Sequence, residues 1–241
     1  MKIEHNQEEE GLDRYLECTE LCDWDNPEVM RASEDITKGT ASPEEAALKI
    51  FYFVRDEIAF SISDSRTRAS QTLKRRAGEC GTKTNLHIAL LRASGIPARF
   101  HVSRCRSEAL EGVIPNWLLT RMPQVASHFW PEVYVLGRWV ACEGLFDKRL
   151  YQALLSRGNI DRQQIPTIEW DGNTDLILLK HWIVEDLGIL NSFDDVYEML
   201  DRRRKEEGMP PRTVERLFGW LIYSSFRRHT DRVRRGQSDK D

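Results

Sequence analysis

Hydrophobic residues recur at spacings of three and four after residue 43, which predicts an amphipathic helix with one buried face. Ser42 supplies an N-cap hydroxyl for this helix, and Pro43 suits its first position, where no N–H is needed. A second such pattern ends at Gly95, and Ser70 is the expected cap of a short helix before it. The two apolar faces are Ala46, Ala47, Ile50, Phe51, Val54 and Ile58, and Leu86, Ala89, Leu90 and Ala93.

The hydrophobic period changes to two after Pro97, because residues 98–102 alternate between apolar and polar side chains. This alternation predicts a half-buried strand. Two further extended runs, 129–135 and 138–142, flank Leu136-Gly137, which predicts an antiparallel hairpin. The long connection 104–126 is expected to lie over a cleft, since connections of this length often border functional sites.

These elements predict an α+β fold in which a helix packs on an antiparallel sheet. Residues 11–37 are read as short helices broken at Asn26-Pro27, and residues 149–235 as mostly helical. We therefore expect a helical N-terminal arm at 1–40, a core at 41–155 and a mainly helical C-terminal extension at 156–241. The extension is expected to pack on the core.

Composition and charge narrow the classes of protein. The chain has 241 residues, of which 40% are hydrophobic and 31% charged, enough for a large globular domain. No apolar run approaches the ~20 residues of a membrane span, and the acidic start is unlike a signal peptide, so we expect a cytoplasmic protein without a membrane partner. The net charge is −4, yet the tail 201–241 carries +5. A solvated helix face explains this basic tail better than nucleic-acid binding does.

The five cysteines form an odd and scattered set, which does not suggest a disulfide framework. Cys18 and Cys22 stand at i, i+4, but no second Cys or His pair follows at metal-site spacing. A glycine-rich phosphate loop is also missing from the sequence. We therefore expect neither a metal nor an organic cofactor.

Cys80 is the candidate nucleophile, because it follows a glycine turn and opens a predicted helix. A helix N-terminus favours thiolate over thiol through its unpaired N–H groups and positive potential. A small buried cysteine of the core is the alternative. His128, at the entry of the hairpin, is the candidate base that would exchange a proton with the thiol.

The hairpin geometry suggests a partner for His128. A two-residue turn at Leu136-Gly137 places Trp130 opposite Glu143, so that His128 and Glu143 become diagonal neighbours on one face. Asp147 is the competing carboxylate, although it could equally cap the next helix. His87 and His101 are secondary candidates for the base, since neither has an obvious acid beside it.

These motifs resemble the transglutaminase-like superfamily, a papain-related group of thiol enzymes and inactive relatives. The resemblance implies a papain-like core with Cys80 as nucleophile, His128 as base and Glu143 at a position that is usually aspartate. It also implies that the backbone N–H of Cys80 binds the oxyanion. Gln71 and Thr72 lie close upstream in the chain and are both candidates for a second donor to the oxyanion. The matching segments are Gly78-Glu79-Cys80, Ala89-Leu90-Leu91-Arg92, Gly95-Ile96-Pro97-Ala98-Arg99, His128, Glu132-Val133-Tyr134 and Gly137-Arg138-Trp139-Val140.

The resemblance implies a cysteine-dependent enzyme that cleaves an amide or peptide bond through a thioester at Cys80. Its substrate would be a peptide, a protein or a small amide. Two alternatives stay open: a transamidase that passes the acyl group to an amine, and a non-catalytic relative that binds a peptide or protein partner. Peptide N-glycanases resemble the chain less, because no paired CxxC motif precedes Cys80.

Overall fold

The computed structural model describes residues 11–61, 66–206 and 225–237. Its helices are α1 (Pro27–Thr37), α2 (Pro43–Glu57), α3 (Ala69–Arg75), α4 (Cys80–Ala93), α5 (Asn116–Leu119), α6 (Lys148–Arg157), α7 (Phe193–Glu206) and α8 (residues 225–234). Its strands are β1 (Ala59–Phe60), β2 (Ala77–Gly78), β3 (Ala98–Arg106), β4 (Val125–Val135), β5 (Arg138–Ala141) and β6 (Ile183–Leu190). Short 3-10 helices occupy Leu12–Leu16, Ser107–Leu110 and Lys180–Trp182.

A four-stranded antiparallel sheet in the order β5-β4-β3-β6 forms one layer, and α4 packs against β4 and β3. The predicted α+β class, with a helix on an antiparallel sheet, is confirmed. The hairpin register is also confirmed, because Val133 pairs with Val140 and Glu132 with Ala141. This register extends directly to the predicted meeting of His128 and Glu143.

Helix α2 also forms as its hydrophobic pattern predicts. Ser42 caps α2 by accepting the N–H of Glu45, and Pro43 is its first residue. The expected cap of α3 is wrong, however: Arg68 holds the N-cap position, and Ser70 lies inside the helix. The Ser70 N–H and hydroxyl both donate to the Asp23 carboxylate, which attaches α3 to the N-terminal arm.

The prediction of a mostly helical stretch from 149 to 235 is wrong for β6, which pairs antiparallel with β3. Its sequence lacks a clean period of two because Val184, Glu185 and Asp186 are all exposed at the sheet edge.

The predicted division into arm, core and extension stays a prediction. Residues 1–10 and the last predicted helix, with Val214 and Leu217, lie outside the described residues. Within the described ranges, no helix combines the length and apolarity needed to cross a membrane.

Arg92, in the last turn of α4, joins three distant segments of the chain. Its guanidinium donates to the carbonyl oxygens of Glu17 at 2.7 Å, Ala98 at 2.9 Å and Asn191. Arg92 is only 2% exposed, so water cannot replace these bonds. The arm, β3 and the end of β6 are therefore anchored to the helix that begins with Cys80.

Replacing Arg92 with methionine should lower the free energy of unfolding by about 3 kcal/mol, because buried carbonyl oxygens would lose their donors. Urea denaturation of both proteins would measure this difference. Arg31→Met is the matched control, since Arg31 is exposed on α1 and its loss should cost about 0.5 kcal/mol at most. Equal effects of the two substitutions would contradict the anchoring role of Arg92.

Candidate active site

Cys80 is the first residue of α4. A single residue, Glu79, connects it to the end of strand β2. Gly78, the residue before Glu79, has no room for a side chain. A Cβ at this position would lie 2.6 Å from Thr82 Oγ1 and 3.2 Å from Thr72 Cγ2. The Gly-x-Cys motif therefore brings the strand close against the first turn of the helix. This approach fixes the position of Cys80.

Glu79 caps the helix through its carboxylate. Glu79 Oε2 accepts the N–H of Gly81 at 2.6 Å, and Oε1 accepts the N–H of Thr82 at 2.9 Å. The Cys80 thiol also donates to Glu79 Oε2, at 3.3 Å. Sequence reasoning missed this role, although Glu79 stands beside Cys80 in the chain.

The pKa of the Cys80 thiol is raised well above its ordinary value, mainly by burial and then by the negative charge and hydrogen bond of Glu79. A bare helix N-terminus predicts the opposite direction. The pKa differs from this expectation because the thiol is buried, and because Glu79 also occupies the N–H groups of the first turn and places a negative charge beside the sulfur. The resting site therefore holds a neutral thiol.

His128 and Glu143 meet as the hairpin register predicts. His128 Nε2 lies 2.9 Å from Glu143 Oε1, and both side chains are buried. The second oxygen, Glu143 Oε2, accepts the N–H of Leu178 at 2.6 Å, and the Glu143 N–H donates to the carbonyl of Leu176. Both carboxylate oxygens thus have partners, and an N–H on Nε2 that donates to Oε1 leaves Nδ1 as the ring nitrogen without hydrogen.

The competing carboxylate, Asp147, has a different place. Asp147 Oδ1 caps α6 by accepting the N–H of Leu150, and Oδ2 accepts from Arg234 at 2.9 Å. The structure thus brings Glu143, and not Asp147, against His128. Capping, the alternative that the sequence allows for Asp147, is confirmed.

The two secondary histidines occupy other environments. Burial lowers the pKa of His87 to about 3, so that its imidazole is neutral. His101 does have acids beside it, contrary to expectation: Nδ1 lies 2.7 Å from Glu132 Oε1 and Nε2 lies 2.9 Å from Asp186 Oδ1. Although burial acts to lower the pKa of His101, these contacts outweigh it and raise the value. His101 therefore links β3 to β4 and β6.

Lys83 is a buried lysine one turn after Cys80 that the sequence did not single out. Its Nζ donates to the carbonyl oxygens of Ile58 at 2.6 Å and Leu145 at 2.9 Å. Burial lowers the pKa of Lys83 to about 7. This lysine ties the chain just after Glu143 to the first turns of α4.

A cleft of about 180 Å³ opens beside Cys80 and His128. Part of its wall comes from residues 107–122, which confirms that the long connection lies over a cleft. Most of the wall is apolar, and the charged groups that the described residues contribute to it are Glu79 and Arg106. Its lining residues are Phe60, Glu79, Cys80, Cys105, Arg106, Ser107, Ala109, Leu110, Ile114, Met122, Ala126, Ser127, His128, Leu145 and Leu179.

Gln71 and Thr72, the two candidates for a second oxyanion donor, do not line this cleft. Gln71 Oε1 accepts the N–H of Arg68, and the Thr72 hydroxyl donates to the carbonyl of the same residue. Both side chains are therefore engaged in the first turn of α3. Neither contact directs a donor toward Cys80.

The cysteine pair of the N-terminal arm lies in a non-helical segment, so the expected helical i, i+4 arrangement is wrong. Cys18 is exposed and its thiol donates to Asp25 Oδ1 at 3.1 Å, whereas Cys22 is buried. In the described part of the chain, no group of three or more His, Cys, Asp or Glu side chains could hold a metal ion.

Comparison with known proteins was consistent with this geometry. Residues 31–144 match the family model of the transglutaminase-like superfamily, a range that contains Cys80, His128 and Glu143. A crystal structure of a candidate cysteine protease from Cytophaga hutchinsonii shares 22% identity, with a TM-score of 0.44. The similarity covers 55% of this chain and 41% of that protein, so the chain spans less than half of its length. No curated protein matches the chain. The part of the chain that carries the candidate site, residues 31–144, is thus similar to the transglutaminase-like superfamily.

Proposed function

We propose that the chain is a cysteine-dependent acyl-transfer enzyme that hydrolyses an amide or peptide bond through a thioester at Cys80. The observation that carries this proposal is the 2.9 Å contact between His128 Nε2 and Glu143 Oε1, at a cleft that Cys80 also lines. The three side chains supply a nucleophile, a base and a group that orients the base. The similarity of residues 31–144 to the transglutaminase-like superfamily supports the same class of chemistry.

In the proposed reaction, His128 Nδ1 takes the thiol proton as Cys80 Sγ attacks the carbonyl carbon. The S–C bond forms, the C–N bond breaks, and the imidazolium gives its proton to the leaving amine. Water then attacks the thioester with His128 as base, which releases a carboxylic acid and restores the thiol. Glu143 holds the ring and stabilises the imidazolium throughout.

The backbone N–H of Cys80 is the proposed donor to the oxyanion. The Glu79 carboxylate takes the N–H groups of Gly81 and Thr82, and Cys80 is not among these donors. A backbone donor at this position needs no reorganisation as negative charge develops on the carbonyl oxygen.

One observation favours the non-catalytic alternative, in which the cleft binds a peptide or protein partner. The Glu79 carboxylate accepts a hydrogen bond from the thiol and helps to keep it neutral, which opposes nucleophilic attack. Reactivity of Cys80 therefore distinguishes an enzyme from a binding protein. The residues of the site serve hydrolysis and transamidation equally, so the acyl acceptor needs a separate measurement.

Acylation of Cys80 by p-nitrophenyl acetate, followed by peptide mass spectrometry, tests the enzyme proposal. His128→Ala should slow acylation by about 100-fold or more, because the thiol loses its base. Glu143→Gln should also slow it, since a neutral amide stabilises the imidazolium less. The exposed thiol of Cys18 provides an internal control that should react equally in all three proteins. Acylation of Cys80 that is indifferent to His128 would favour the binding protein.

The fate of the acetyl group tests hydrolysis against transamidation. With glycinamide added, we expect acetate to remain the main product, because hydrolysis is the proposed reaction. Chromatography of acetate and acetylglycinamide would give the ratio, with Cys80→Ser as the control for uncatalysed reaction. Predominant acetylglycinamide at low amine concentration would identify a transamidase instead.

Glu79→Gln should lower the pKa of Cys80. A glutamine oxygen can still accept one of the two N–H groups, that of Gly81 or that of Thr82, and the negative charge that favours the protonated thiol is gone. The pH at which iodoacetamide labelling of Cys80 reaches half of its maximal rate should therefore fall. Glu34→Gln is the control, because Glu34 is exposed on α1 and does not line the cleft. Identical profiles for the Glu79 variant and the unaltered protein would assign the shift to burial alone.

A further inference from the structure

The wall of the cleft beside Cys80 consists mostly of apolar side chains. They come from four parts of the chain: β1, the connection between β3 and β4, the start of β4, and the segments that follow Glu143. The polar side chains of the wall, besides Cys80, are Glu79, Arg106, Ser107, Ser127 and His128 among the described residues. The apolar residues are Phe60, Ala109, Leu110, Ile114, Met122, Ala126, Leu145 and Leu179.

The two charged residues of the wall act differently on a bound group. Arg106 Nε is paired with Glu108 Oε1 at 2.7 Å, and its side chain is 41% exposed, so its charge is compensated and hydrated. Glu79 instead stands against the Cys80 sulfur, with Sγ and Oε2 separated by 3.3 Å. A second carboxylate bound next to Cys80 would therefore be repelled and would lose its hydration among apolar side chains.

The size of the cleft suits one side chain rather than a long ligand. Its volume is about 180 Å³. A cavity of about 150 Å³ lined by leucine, isoleucine and phenylalanine is enough to bind benzene, whereas drug-sized ligands occupy about 300–1,000 Å³. An aromatic ring or a branched aliphatic group therefore matches the available space.

We propose that this cleft is the subsite for the acyl part of the substrate, and that it selects neutral apolar acyl groups over acidic ones. The inference rests on the proposed function, because the acyl group is the part that stays attached to Cys80 in the thioester. The apolar wall supplies affinity, and Glu79 supplies discrimination against a carboxylate. The substrate class is thus an amide whose acyl side carries one aromatic or branched aliphatic group.

Reversible aldehydes test this selectivity without a known substrate. The Cys80 S–H adds across the aldehyde C=O, so that an S–C bond forms and the proton goes to oxygen. We would measure how 3-phenylpropanal and succinic semialdehyde protect Cys80 from iodoacetamide, with Cys18 labelling as the internal control. The dissociation constant for 3-phenylpropanal should be at least about tenfold lower, as expected for an apolar pocket.

Substitutions at Met122 sharpen the test, because this side chain is only partly buried in the cleft wall. Met122→Lys should improve protection by succinic semialdehyde and weaken protection by 3-phenylpropanal. Met122→Glu should weaken protection by both aldehydes. Trp117→Lys is the control, because Trp117 is exposed on the same connection but does not line the cleft.

The possible failures are distinguishable. If neither aldehyde protects Cys80 although iodoacetamide labels it, the proposed function fails. If both aldehydes protect Cys80 equally, or if the Met122 variants behave like Trp117→Lys, the enzyme proposal stands and the apolar acyl subsite is overturned. The ratio in the unaltered protein decides the matter even where a Met122 variant does not fold.

Discussion

The antiparallel pairing of β4 with β5 is the constraint on which the site depends. It brings His128 and Glu143, which are fifteen residues apart, into a 2.9 Å contact. A shift of the register by one residue would turn one of the two side chains to the opposite face of the sheet. The helix that carries Cys80 packs on β4, so that Cys80 and His128 border one cleft while Glu143 holds the imidazole from behind.

The electrostatics of the site are dominated by carboxylates that have separate tasks. Glu143 faces the imidazole, whereas Glu79 faces the thiol and the first N–H groups of α4. The buried amine of Lys83, one turn after Cys80, donates to the backbone carbonyls of Ile58 and Leu145. Burial and the Glu79 carboxylate together raise the pKa of the Cys80 thiol, which explains why the position at a helix start does not by itself produce a thiolate.

The elements that the sequence predicts correctly are those with strong local patterns. The α2 face, the β3 alternation and the hairpin with its register follow from spacing alone, and they are enough to pair His128 with Glu143. Edge strand β6 has three successive exposed residues, so that its partner β3 and not its own pattern determines its conformation. The actual contacts of Ser70 and the acids beside His101 join residues far apart in the chain, which spacing cannot reveal. The cap formed by Glu79 depends on the conformation of the Glu79 side chain, which residue spacing does not reveal either.

Two contacts made by residues 178 and 179 limit how far the protein can be shortened. The Leu178 N–H donates to Glu143 Oε2, and Leu179 forms part of the cleft wall. A fragment that ends at residue 144, where the family match ends, would keep Cys80, His128 and Glu143. It would lack the donor that holds the second carboxylate oxygen and one side of the acyl cleft. The smallest fragment that keeps the candidate site intact must therefore extend past residue 179, well beyond the end of the family match at residue 144.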